Sequence, residues 1–224
     1  ISAFAKQCGF GRPTGVDLPH ERSGLVPSRD WKQRYRKQVW VRGDTFNTSI
    51  GQGFTLVTPI QMAVYVSAML NGGDLLKPQL LEDAPREVRG RIPAELGHLR
   101  FVVQAMRRTA GGGTAKEVGR HDADMGGKTG TTNYNADGWF MGFTPSLVSG
   151  CWVGGEDRDI HFDSTSLGQG AAAALPIWAY FMKKVYADHQ LGYSDKPQFA
   201  IPKDFDFCST SEDTDVNDIQ EVYF

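Results

Sequence analysis

From Thr58 onward the apolar positions recur at helical spacing. Ile60, Ala63, Val64, Ser67, Ala68 and Leu70 fall close to a 3.6-residue period, which predicts a helix with one buried face. The Thr58 hydroxyl suits the cap, Pro59 suits the first helical position, and Asn71-Gly72-Gly73 ends the run. A second helix is expected from Ala94 to about Arg108, with Leu96, Leu99, Val102, Val103 and Met106 turned inward and Gly111-Gly112-Gly113 as its breaker. The pattern then shortens. Gly126 to Thr132, Gly138 to Pro145 and Leu147 to Gly155 are β-rich runs joined by turn residues, which predicts a three-stranded meander. A long helix should follow from about Gly170 to Ala187, with Ala174, Ile177, Trp178, Phe181 and Val185 along one side. Pro176 inside that pattern marks a kink or a late start. Residues 1–45 are rich in Gly, Pro and charge and read as irregular. Helices beside strands in this order predict an α+β fold, with helices packed on an antiparallel sheet.

Composition narrows the function classes. The chain has 224 residues, 40% of them apolar and 22% charged, enough for one domain with a real core. Its formal net charge of -2 gives no electrostatic footprint for nucleic acid. No apolar run approaches a membrane span, and there is no signal-like start. The first residue is Ile1, so the chain reads as a piece of something longer, with any membrane anchor upstream. Cys8, Cys151 and Cys208 are widely spaced and form neither a disulfide framework nor a metal pattern. The histidines lack HxxxH and HExxH spacing, and Glu156, Asp157 and Asp159 read as solvated loop carboxylates. No metal or cofactor is expected.

The sharpest chemical signal is Gly127-Lys128-Thr129-Gly130-Thr131-Thr132. A phosphate-binding loop would need a glycine at position 122, where the chain has Asp122, and a helix after Lys128, where it has β-branched residues. Spacing and context both disfavour it. The string also resembles the KTG box of penicillin-recognising acyl-serine enzymes, which lies on an edge strand flanking the active site. An ammonium at such an edge attracts a carboxylate, and threonine hydroxyls add hydrogen bonds to it. A glycine lets a substrate backbone approach, and the N–H that follows can stabilise an oxyanion. Lys128, Thr129, Gly130 and Thr131 meet those four needs.

Other stretches carry a resemblance. Thr14 to Pro19, Ser23 to Pro27, Gly43-Asp44-Thr45, Ile50 to Gly53, Val57 to Ala63 and Asn71-Gly72-Gly73 resemble class B penicillin-binding proteins of cell elongation. Gly127 to Thr132, Asp137 to Phe143, Trp152-Val153-Gly154 and Ala174 to Trp178 look more like the class A, bifunctional enzymes, with the change near residues 115–125. The resemblance runs to about Asp188. It implies the C-terminal portion of the penicillin-binding/β-lactamase-like transpeptidase fold, with a partial transpeptidase domain at 1–207; residues 208–224 are acidic and polar and read from composition as a flexible tail.

The implied activity is serine-type D,D-transpeptidation, cross-linking peptidoglycan stem peptides at the periplasmic face of the inner membrane. β-Lactams would inhibit it, and cell-wall synthesis proteins would be partners. By resemblance Lys128 supplies electrostatics, Thr129, Gly130 and Thr131 bind the substrate carboxylate and backbone, and the Thr131 N–H serves the oxyanion. The family's SxxK and SxN motifs are absent from these residues: Ser2 precedes Lys6 by four positions. The chain alone should therefore be inactive. A non-catalytic penicillin-recognising sensor or scaffold is the alternative. Gly51-Gln52-Gly53 reads as a turn, Gly113-Thr114-Ala115 as packing, and Trp139, Phe140, Trp152 and Trp178 as core residues.

Overall fold

The computed structural model describes residues 1–111 and 124–199. The acidic tail and the Gly113-Thr114-Ala115 segment lie outside the described residues. The helix expected after Thr58 is α4, Pro59–Leu70. Its cap is reciprocal: the Gln61 N–H donates to Thr58 Oγ1 at 3.2 Å, and the Thr58 N–H donates to Gln61 Oε1 at 2.9 Å. Gln61 is itself buried and donates from Nε2 to the carbonyls of Arg12 and Ser23, both at 2.8 Å. A polar side chain in a helical first turn thereby fastens the N-terminal segment. The predicted apolar face is corrected. Gln61, Val66, Ala68 and Met69 are buried, whereas Ile60, Ala63, Val64, Ser67 and Leu70 are half-buried. The helix is wedged among several elements, so burial is spread around its circumference instead of following one stripe.

The N-terminal 45 residues are more regular than expected. Helix α1 spans Ser2–Gln7, and α2 spans Arg29–Trp31 and runs into a π-helical turn, Lys32–Arg36. Helix α3 spans Arg42–Ser49. Side-chain caps explain what periodicity missed. Ser28 Oγ accepts from the Trp31 N–H at 3.1 Å, and Asp44 Oδ2 accepts from the Val41 N–H at 2.7 Å. Asp44 Oδ2 also receives Lys32 Nζ at 2.6 Å in a nearly buried pair. The Lys32 hydrogen bond, followed by the Val41 amide, holds the Asp44 carboxyl below its usual range. A carboxyl depressed in the folded state stabilises the fold above its unfolded value of about 4 and loses that stabilisation as pH falls through the folded value. Asp44→Asn should therefore flatten the acid side of the stability–pH profile below about pH 4, measured by urea unfolding. A variant whose acid limb matches wild type would refute this.

A two-stranded antiparallel hairpin, β1 (Asp74–Leu76) and β2 (Val88–Arg91), follows α4. Helix α5 covers Leu96–Gly111, extending past Arg108 into the first of the glycines. Leu99, Val103, Met106 and Ala110 are buried, a clean i, i+4, i+7, i+11 stripe. Leu96 and Val102, expected inward, are exposed: Val102 sits one residue off that stripe, and Leu96 lies at the helix start.

The meander forms as expected, as β3 (Gly126–Thr131), β4 (Asp137–Phe143) and β5 (Val148–Gly154), antiparallel in the order β3-β4-β5. Its two faces bury different cores, as strand alternation requires. Met141 and Phe143 join Val66, Met69, Leu99, Val103 and Met106 of α4 and α5. Phe140 joins Ala174, Leu175, Trp178 and Met182 on the opposite face. The last helix is broken. Short α6 (Thr165–Gly168) and α7 (Gly170–Ala173) precede α8 (Leu175–Ala187), with Pro176 in its first turn, so the proline marks a late start. Leu175, Trp178, Met182 and Val185 face inward, whereas Ile177 and Phe181 are exposed. The α+β arrangement stands, with helices on both faces of an antiparallel sheet. Among the described residues, no helix is long and apolar enough to cross a membrane.

Candidate functional site at the β3 edge

Lys128 lies in the middle of β3, not at a helix N-terminus, which removes the phosphate-loop reading. Two glycines set this strand in place. A Cβ at Gly126 would stand 2.5 Å from the Phe143 ring and 3.0 Å from the Arg107 Cα. One at Gly127 would stand 2.5 Å from the Phe140 ring and 2.8 Å from the Met141 carbonyl oxygen. Only hydrogen at these positions lets β4 and α5 close on the strand. Just ahead, Asp124 receives Arg107 through Nε at 3.0 Å and Nη2 at 2.7 Å, and the Phe199 N–H at 2.8 Å. The Thr109 hydroxyl donates to the Gly127 carbonyl. Helix α5 therefore clamps the start of the strand. Sequence reasoning singled out none of Arg107, Thr109 or Asp124, since nothing in local spacing links 107 to 124.

The far end is closed by a hairpin clasp. Thr132 Oγ1 donates to Asp137 Oδ2 at 2.9 Å and accepts from the Asp137 N–H at 3.0 Å. Trp152 Nε1 donates to Asp137 Oδ1 at 2.9 Å. Trp152 is thus an exposed partner of the clasp, tilted against Trp139 at 6.2 Å, and not the core residue expected. Phe140 and Trp178 are core residues. The turn itself holds Tyr134 and Asn135 at positive φ, 61° and 55°.

Strand register then decides which groups face outward. The Thr132 N–H donates to the Asp137 carbonyl at 3.1 Å, so alternation turns the N–H groups of Thr131 and Thr129 away from β4. The outward acceptors agree with this: the Gly127 carbonyl takes Thr109, and the Thr129 carbonyl takes Lys128 Nζ at 2.6 Å. Thr131 therefore offers its N–H at a strand edge that no other strand among the described residues pairs with, as an oxyanion donor must.

The side chains divide. Thr129 and Thr131 lie across the ladder from Phe140 and Gly138, on the face of α7 and α8, while Lys128 lies across from Met141 on the other face. The ammonium and the hydroxyls thus flank the edge from opposite sides, and one ligand laid along the edge could meet them all. Lys128 and Thr131 are exposed, and Thr129 and Gly130 are half-buried. A Cβ at Gly130 would press within 3.3 Å of Trp139 Cβ. The Thr131 hydroxyl is already engaged, accepting from the Gly170 N–H at 3.0 Å. The sequence marked Gly170 only as the start of a helix, and its contact with Thr131, 39 positions away, left no local signal.

Elsewhere, Gly51 and Gly53 form a turn at φ of 76° and 73°, as expected. Cys8 is buried in the core, and burial pushes its thiol up to about 11.

Comparison with known proteins adds to the geometry. A family model described as the penicillin binding protein transpeptidase domain matches residues 1–150, a span that includes most of the meander. The peptidoglycan D,D-transpeptidase MrdA of Salmonella typhimurium is 48% identical over 81 residues, 36% of this chain and 13% of that protein. Penicillin-binding protein 1A of Aquifex aeolicus is 33% identical over 151 residues, 61% of this chain and 20% of that protein. The solved PBP2 of Helicobacter pylori superposes with a TM-score of 0.69 at 27% identity, over 86% of this chain and 35% of that one. The chain thus spans about a third or less of the length of these relatives.

Proposed function

Because the chain belongs to the penicillin-binding protein transpeptidase domain family, we propose that it supplies the KTG edge of a peptidoglycan D,D-transpeptidase. The observation that carries this reading is the outer edge of β3, unpaired with any strand among the described residues, with the Thr131 N–H turned outward between Lys128 and the two threonine hydroxyls. In the proposed reaction a serine oxygen attacks the carbonyl of the penultimate D-alanine of a stem peptide. The C–N bond breaks, and the terminal D-alanine leaves as the amine, taking a proton. An amine of a neighbouring stem then attacks the ester, and the serine departs with a proton restored. Thr131 N–H would hold the carbonyl oxygen as charge develops on it, Gly130 would admit the peptide backbone, and Thr129 and Thr131 would bind the terminal carboxylate. Lys128 would add positive charge. β-Lactams would stop at the ester stage. Cell-wall synthesis proteins are the natural partners of such an enzyme, at the outer face of a membrane, with anchoring from a segment beyond these residues.

Serine nucleophile and base come from SxxK in this family's mechanism, and no SxxK occurs in the sequence. The 224-residue chain should therefore form no stoichiometric, heat-sensitive adduct with a fluorescent penicillin. The same chain extended upstream by a family segment bearing SxxK and SxN should become labelled. Labelling of the unextended chain would reveal a nucleophile among its own residues. A folded extended chain that stays unlabelled would remove the transpeptidase reading.

A further inference from the structure

We propose that the Gln169–Gly170 corner is a positioning element of the β3 edge: its Gly170 N–H holds the Thr131 hydroxyl so that the hydroxyl proton is presented to a substrate carboxylate. The inference rests on the transpeptidase reading of β3 and adds a residue to it. A threonine hydroxyl has one proton and two acceptor lone pairs. The Gly170 N–H, at 3.0 Å, occupies one lone pair. The proton cannot then point at that donor and is left for the exposed side of Thr131.

The corner is held by packing and not by the hydroxyl alone. A Cβ at Gly170 would overlap the carbonyl oxygens of Gly130 and Trp139, backbone atoms that cannot swing aside. Gly138, directly across the ladder from Thr131, completes the seat. A Cβ there would come within 3.2 Å of the Gly168 carbonyl oxygen and 3.6 Å of Gly170 Cα. One residue before the corner's glutamine, a Cβ at Gly168 would stand 2.5 Å from Asn135 Cβ and 2.7 Å from Phe162 Cβ, so the same segment is packed on the β3–β4 turn. Missing side chains at 138, 168 and 170 thereby bring one backbone donor onto one hydroxyl. A group fixed before the ligand arrives loses less freedom when it binds.

The test uses the 224-residue chain and a peptide ending in D-alanyl-D-alanine, as the free acid and as the C-terminal amide, followed by amide NMR shifts of Gly130 and Thr131. Wild type should prefer the acid by about tenfold, the value of one charge-assisted hydrogen bond. A backbone ester at position 170 replaces the N–H by oxygen without added bulk. It should reduce the preference to about threefold or less, with the fold unchanged by circular dichroism. Thr131→Ser, which keeps proton and lone pairs, should rescue the preference that Thr131→Val loses. Independently, Thr131→Val should speed hydrogen exchange at the Gly170 amide about tenfold, and Thr131→Ser should not. An ester variant that retains the full acid preference overturns the positioning role while leaving the transpeptidase reading intact, and so does unchanged Gly170 exchange in Thr131→Val. A wild-type chain with no acid preference removes the reading of β3, and this inference falls with it.

Discussion

Trp178→Ala should lower the unfolding free energy by about 3 to 5 kcal/mol, the usual range for deleting a large buried aromatic side chain. Trp178 is 2% exposed and meets Phe140 edge-on at 5.0 Å. Its Nε1 donates to Ser149 Oγ at 2.7 Å, joining α8 to β5. Gly142 lies directly beneath the indole, where a Cβ would overlap the ring. Truncation therefore removes the aromatic contact, leaves a void bounded by fixed backbone, and takes a donor from the Ser149 hydroxyl. Neither sheet nor helix can collapse far into that space, because the β4 ladder is hydrogen-bonded on both sides. Trp178→Phe should cost distinctly less, since it restores much of the volume. Urea unfolding reads both variants. A loss under about 1 kcal/mol for Trp178→Ala would mean that α8 is not docked on the sheet as described.

The second large effect belongs to chemistry. In the chain extended by an SxxK- and SxN-bearing segment, Lys128→Ala should slow penicillin acylation by about ten- to a hundredfold. That corresponds to roughly 1.5 to 3 kcal/mol for one charge-assisted contact at the reacting edge. Lys128 carries this strand's positive charge and already reaches the edge, donating to the Thr129 carbonyl. Thr132→Ala is the contrasting variant. Its hydroxyl is bonded twice to Asp137, so its loss should loosen the hairpin by about 1 kcal/mol and change acylation little. Second-order acylation rates with circular dichroism controls separate the two. Rates within twofold of wild type for both variants would end the KTG reading of β3.

Much of the fold was legible in the sequence because its signals are local. The Thr58 cap, the Pro59 start and the glycines after Leu70 set the bounds of α4 through chemistry confined to one turn at each end. Alternation and turn residues gave the meander with correct pairing, and Pro176 announced the break before α8. Burial was less legible. Val102 and Phe181 fit an apolar period as well as Val103 and Met182 do, and only docking against the sheet selects the phase. The turn at Lys32 and the start of α3 were missed because Asp44, which joins them, acts through Lys32, twelve positions away.

At the site, the chemistry on offer could be read residue by residue: an ammonium, two hydroxyls, a glycine and a following N–H on one strand, and no SxxK to supply a nucleophile. Composition and order of residues suffice for that, because functional groups and strand alternation are properties of the chain itself. Tertiary structure alone decided how those groups are presented. The hydrogen-bond phase fixed by Thr132 and Asp137 turns the Thr131 N–H outward, and packing of the distant Gly168 and Gly170 against Gly138, β3 and the β3–β4 turn delivers the Gly170 N–H to its hydroxyl. Contacts spanning 39 residues depend on which surfaces close on each other, and no local pattern records them.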